Sequence, residues 1–239
     1  MIVNCLWKKI TIAVFIATFA FSCEPIDNKR IEKTQAKATE EQKPQQNIGY
    51  GELIIKEQSD YLMIPVTLSE RSQDKDSNYS LSRTSGKENK LYNFIFYHKQ
   101  DGATHLLLNK KAIINSFDFL ETKLVGKTPT RLWLYKILEQ DTNADKKINF
   151  EDATLGYISD LSGKNLVQVT PNNSQILNWV IVPSQNVLFL KIIKDSDNDK
   201  KFTERDKTNF MRVNLEKPAM GTEIISDSIE QEAKSYIFK

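Results

Sequence analysis

The chain has 239 residues, 40% of them hydrophobic and 27% charged, with a formal net charge of +2. That composition suits one or two folded domains. Basic and acidic residues alternate instead of forming a basic block, so nucleic acid is not an expected partner. No G-x-G-x-x-G, P-loop or G-x-S-x-G stretch occurs, which removes the usual marks of dinucleotide, nucleotide and ester chemistry.

Residues 1–22 read as a secretory signal. Lys8-Lys9 is a short basic region, and Ile10 to Phe21 is an apolar run too short to span a bilayer comfortably. The run ends in Ala20-Phe21-Ser22-Cys23. Those residues resemble the lipobox of bacterial lipoproteins, in which small residues precede a cysteine that is acylated and becomes the mature N-terminus; the family's usual leucine is replaced here. The resemblance implies lipid on Cys23, anchorage to the membrane, and a cell-envelope location facing the periplasm or the outer surface. The two cysteines are Cys5 and Cys23, so cleavage before Cys23 would leave a body without a disulfide or a cysteine metal site. Residues 23–47 are charged, Gln-rich and free of aromatics. Such a segment buries too little apolar area to order itself and reads as a tether, with the folded domain over 48–239.

That domain reads as all-β. Short apolar runs rich in Ile, Val, Phe, Tyr and Leu alternate with turn residues such as Asp101-Gly102, Ser162-Gly163 and Pro171-Asn172-Asn173. The runs fall into three four-stranded repeats, near 48–110, 111–170 and 171–231. Asp141 to Asp195 and Thr154 to Thr208 are both 54 residues apart, and Phe117 aligns with Trp179. Four strands at a fixed period are the signature of propeller blades. The segment LGYISDLSGKNLVQVTPNNSQILNWVIVPSQNVLFLKI is similar to the repeat of TolB-type periplasmic propellers: Asp160-Leu161-Ser162-Gly163, Val169-Thr170 and Trp179 match its motif. Val182-Pro183-Ser184-Gln185 stands where that family has Ser-Pro-Asp-Gly. Three blades are fewer than a closed ring needs. The expected outcomes are an open wedge, a homodimer completing six blades, or an irregular β-sandwich. Ser235 to Phe238 is a candidate closing strand.

Two acidic loops follow equivalent strands, DTNADKKINFED from Asp141 and DSDNDKKFTERD from Asp195. Calcium takes about six to eight hard oxygens, and a tight loop aims alternate residues at one centre. On the spacing D-x-[DN]-x-[DN]-x-x-x-x-x-x-D, the first loop offers Asp141, Asn143, Asp145, the Lys147 carbonyl, Asn149 and Asp152. The second offers Asp195, Asp197, Asp199, the Lys201 carbonyl, Thr203 and Asp206. Both resemble EF-hand-type calcium loops, with two departures. Position 6 is Lys146 or Lys200 in place of glycine, and position 12 is aspartate in place of glutamate. Position 8 is Ile148 or Phe202, which should pack inward. Asp74 to Asn78 is a partial echo. The flanking LWLYKIL and VLFLKII read as strands, so the expected order is strand, loop, short turn, strand. Asp and Asn also make good turns without any ion; two loops agreeing position by position favour the metal.

Nothing else marks chemistry. The only histidines, His98 and His105, read as strand-surface residues, and no nucleophile–base set is legible. The functional reading is a calcium-binding envelope lipoprotein that binds or scaffolds a protein or envelope partner, with calcium mainly structural. The alternatives are a calcium-supported envelope hydrolase and a helical EF-hand sensor.

Overall fold

The structure, a computed structural model, describes residues 47–69 and 90–238. The expected signal, Cys23, all but the end of the tether, and the Asp74–Asn78 echo lie outside the described residues. The chain divides between Lys43 and Pro44, and the second unit is described here.

It is an all-β, antiparallel protein built as three meanders. In the first, β1 (Asn47–Tyr50) and β2 (Ile54–Ile55) form one broken edge along β3 (Tyr61–Ser69), followed by β4 (Leu91–His98) and β5 (Thr104–Leu106). The second is β6 (Ile113–Thr122), β7 (Thr130–Leu138), β8 (Leu155–Ser159) and β9 (Val167–Gln168). The third is β10 (Ser174–Val182), β11 (Val187–Lys194), β12 (Lys207–Asn214) and β13 (Thr222–Glu223). A single pair, Leu91 opposite Ile114, joins the first two into one nine-stranded sheet. The third meander is a separate four-stranded sheet, and neither sheet closes into a barrel.

Two interiors separate the meanders. Met63, Phe94 and Phe96 of the first pack with Trp133, Tyr135, Ile137, Leu155 and Tyr157 of the second. On the other side, Leu120, Leu134 and Ile158 pack with Leu188, Leu190, Ile192, Met211 and Val213 of the third. Strand β7 thus lies between two layers, and alternate residues fill opposite interiors. This is why TRLWLYKIL is apolar almost throughout instead of alternating. Burial pushes the Tyr135 phenol well above its usual pKa; its hydroxyl pairs with Ser159 Oγ at 3.1 Å.

The three meanders fall where the apolar runs place them, but their stacking follows the sandwich alternative between the second and third. Leu134 and Leu188 are 54 residues apart, and both point into the same interior. Successive propeller blades would send them in the same sense round a ring, so Leu188 would face away from the second meander. The alignment of Phe117 with Trp179 is corrected by register. Phe117 lies opposite Tyr135 and Trp179 opposite Leu190, whereas the 54-residue spacing equates Tyr135 with Phe189. Both first strands bulge just before these rings, at Ile114/Ser116 and Ile176/Asn178, so the one-residue offset arises in the unequal β6–β7 and β10–β11 connections. The two rings therefore pack against different interiors.

The chain end is also corrected. Ser235 to Phe238 is not a closing strand; helix α1 spans Asp227–Ile237. Ile229, Ala233 and Ile237 recur every four residues, a helical spacing. Ser226 caps the first turn by accepting the Ile229 N–H, Asp227 and Glu230 lie in that turn, and Lys234 lies in the last. Lys207 ties the helix to β12 through Asp227 and Glu230.

Candidate metal centre

Both acidic loops join the second and third strands of a meander: β7 to β8 in one case, β11 to β12 in the other. Strands enter and leave each loop, so the helical surroundings of an EF-hand sensor are absent. Inside, the two loops share a backbone path. Positions 4 and 6 take positive φ in both: Ala144 at 64° and Lys146 at 68°, Asn198 at 60° and Lys200 at 66°. Position 6 thus makes the left-handed turn that glycine usually makes, at a cost of about 1 kcal/mol for a lysine. The aspartates are what hold it there. Asp141 Oδ2 accepts the Lys146 N–H at 2.7 Å, and Asp195 Oδ2 accepts the Lys200 N–H at 3.1 Å. Position 5 accepts the N–H of position 7 in each loop, Asp145 from Lys147 and Asp199 from Lys201.

Position 12 is a loop closer. Asp152 and Asp206 are buried. Asp152 Oδ1 accepts the Thr142 N–H at 2.7 Å and its Oδ2 the Asn149 N–H at 2.8 Å. Asp206 repeats this with Ser196 at 2.9 Å and Thr203 at 2.9 Å. The short aspartate arm suits that work, since it must reach backbone across the neck of the loop. Hydroxyls at position 2, which the ligand pattern does not include, complete the neck: Thr142 Oγ1 accepts the Ala153 N–H and Ser196 Oγ the Lys207 N–H. Thr or Ser recurring at the second position of both loops was the available signal. A single turn, Asp152 N–H to Asn149 carbonyl and Asp206 N–H to Thr203 carbonyl, leads out of each loop.

The loops differ in what they gather. In the second, carboxylate oxygens of Asp195, Asp197 and Asp199 lie within 4.8 Å of one another, a grouping that can hold a metal ion. Asp195 Oδ1 is buried and has no hydrogen-bond partner, an arrangement folded proteins avoid unless something else satisfies the oxygen. Asp206 stands outside that group, on the neck. In the first loop, Asn143 replaces the middle carboxylate and accepts the Asp145 N–H. Asn149 turns its amide nitrogen to Asp145 Oδ2 at 3.0 Å, so it donates there. No three-carboxylate group forms in this loop among the described residues. Ile148 and Phe202 are half-buried.

The two loops are neighbours. Asp141, Thr142, Asp195, Lys200 and Phe202 line one cleft of about 320 Å³ with Asn172 and Asn173 of the β9–β10 connection. The Asp195 N–H donates to the Asn173 carbonyl at 3.0 Å. The histidines are elsewhere and apart in role. His98 Nδ1 pairs with Asp101 at 2.7 Å, and His105 Nε2 meets the Ser162 carbonyl at 2.8 Å.

Acid should loosen the second loop. The N–H groups of Ser196 and Thr203 hold the Asp206 carboxyl below its usual 3.8. A carboxyl depressed on folding stabilises the fold at every pH above its unfolded value and loses that contribution as pH falls through its folded value. In chelator-treated protein the urea midpoint should stay level from about pH 7 to 5 and fall below about pH 4. Asp206→Asn should flatten part of that fall.

Comparison with protein-family models, curated proteins and solved structures finds no match to this chain. What the geometry defines by itself is an all-β protein with an acidic triad that can hold a metal ion.

Proposed function

We propose that the protein is a calcium-binding lipoprotein of a bacterial cell envelope, held by lipid on Cys23, whose β body binds a protein or envelope partner. The observation that carries the calcium reading is the buried, unpartnered Oδ1 of Asp195, a residue whose carboxylate groups with those of Asp197 and Asp199. All the offered groups are oxygens, the donor set of a hard cation, and a loop with several exposed carboxylates suits the larger, more loosely coordinated calcium better than magnesium. Each loop spans the two central strands of its layer, so an ion there ties those strands together; that favours a structural role for calcium.

The second loop is the tighter site, because three carboxylates converge there and the first loop brings no such group together. Affinity in the weak extracellular class, on the order of 10⁻⁴–10⁻³ M, suits an envelope exposed to external calcium. Isothermal calorimetry of the wild-type protein with calcium, and with magnesium in parallel, tests this. Uptake of calcium with weaker response to magnesium is expected; no uptake of either ion would remove the proposal. Lipidation is tested separately: mass spectrometry of the membrane fraction should find Cys23 acylated as the first residue, and an unmodified soluble form cleaved elsewhere would refute it.

A further inference from the structure

The outward face of the first meander is built like an interior. Met63 of β3 points inward and is buried, so by alternation Leu62, Ile64 and Val66 point outward. Their cross-strand partners share that face: Tyr50 opposite Val66, and Ile95 opposite Ile64 with Leu106 beyond it. Tyr50 is 65% exposed and Leu106 56%. No charged residue interrupts these rows. YLMIPVTL thus reads like TRLWLYKIL, the strand covered on both sides, yet among the described residues only its inner face is covered. The third meander's outward face differs, mixing Val180 and Phe210 with exposed Lys191 and Arg212.

We infer that the outward face of the first meander is a homodimer interface, covered by the same face of a second copy about a two-fold axis. An uncharged apolar sheet is complementary to another such sheet, and a two-fold contact pairs like with like. Closure of a ring, first meander on third, would bury Lys191 and Arg212 against an apolar face with no acidic partner, which is unfavourable. The size also fits. Strands β1 to β5 hold 26 residues, and at about 4.8 Å by about 3.3 Å each they give a flat footprint on the order of 400 Å². Side-chain relief brings this toward the roughly 800 Å² that each partner gives a standard interface.

The inference is independent of the calcium proposal. It is tested by producing two differently tagged copies of the full chain together and recovering one from a mild nonionic detergent extract. The second copy should co-purify. Leu106→Glu in both copies should cut the co-purified amount at least ten-fold, with Val180→Glu leaving it within two-fold. Melting curves check that each variant folds, and Tyr50→Glu, at the sheet edge, substitutes if Leu106→Glu does not. No co-purification of wild-type copies would overturn the inference. So would a loss with Val180→Glu equal to that with Leu106→Glu, which would indicate ring closure. Wild-type copies that stay single and instead bind phosphatidylcholine vesicles through Leu106 would overturn it too, assigning the face to a membrane.

Discussion

Asp195→Asn is expected to erase most of the calcium response and to reverse the order of stability between wild type and variant. At ~10 mM calcium and a dissociation constant on the order of 10⁻⁴–10⁻³ M, mass action stabilises the folded wild type by about 1.4–2.7 kcal/mol at the second loop. For a body of this size that raises the melting temperature by roughly 3–10 °C. With chelator present, the wild type holds three carboxylates whose oxygens lie within 4.8 Å of one another, each pair repelling by about 1 kcal/mol in water. It also buries Asp195 Oδ1 without a partner. The asparagine keeps an oxygen for the Lys200 N–H and removes the charge. The variant should therefore melt at or above the wild type in chelator and below it in calcium. Asp141→Asn should leave most of the calcium shift intact. Parallel melting curves for the two proteins that never cross would show that the triad does not act as a cation site.

Gly163→Ala is expected to cost about 2–4 kcal/mol. Gly163 has φ +78°, and a Cβ there would overlap the ring of Phe96, which is fully buried in the first interior. The left-handed conformation costs an alanine about 1 kcal/mol, and forcing a methyl into a packed core costs about 1–3 kcal/mol more. Gly126 separates the two contributions. It has φ +74°, and a Cβ there would meet nothing within 4 Å, so Gly126→Ala should cost about 1 kcal/mol, from the backbone alone. Urea midpoints for the two variants should differ accordingly. Equal losses would mean that the β8–β9 turn does not press on the first meander as described.

The role of that turn shows how unevenly the sequence could be read. Ser162-Gly163 is legible as a turn, because glycine supplies positive φ. That its glycine also lets the turn lie on Phe96, 67 residues earlier, depends on how two sheets stack, and no local pattern records it. The loops divide similarly. The spacing of Asp195, Asp197 and Asp199 is a local property, since alternate residues of a tight loop face one centre. The work of Asp152 and Asp206 is decided by the neck that the two strands bring together, and a ligand pattern reads position 12 only as a donor to metal.

By itself the sequence determined that the body is all-β, where its meanders begin and end, and that the two acidic loops join equivalent strands, because apolar alternation and turn chemistry act over a few residues. Only the tertiary structure decided that Leu134 and Leu188 meet in one interior and that Phe117 and Trp179 do not. A one-residue change of pairing register reverses which face a side chain occupies, and that register is set by how each hairpin closes, which the run of apolar residues does not record.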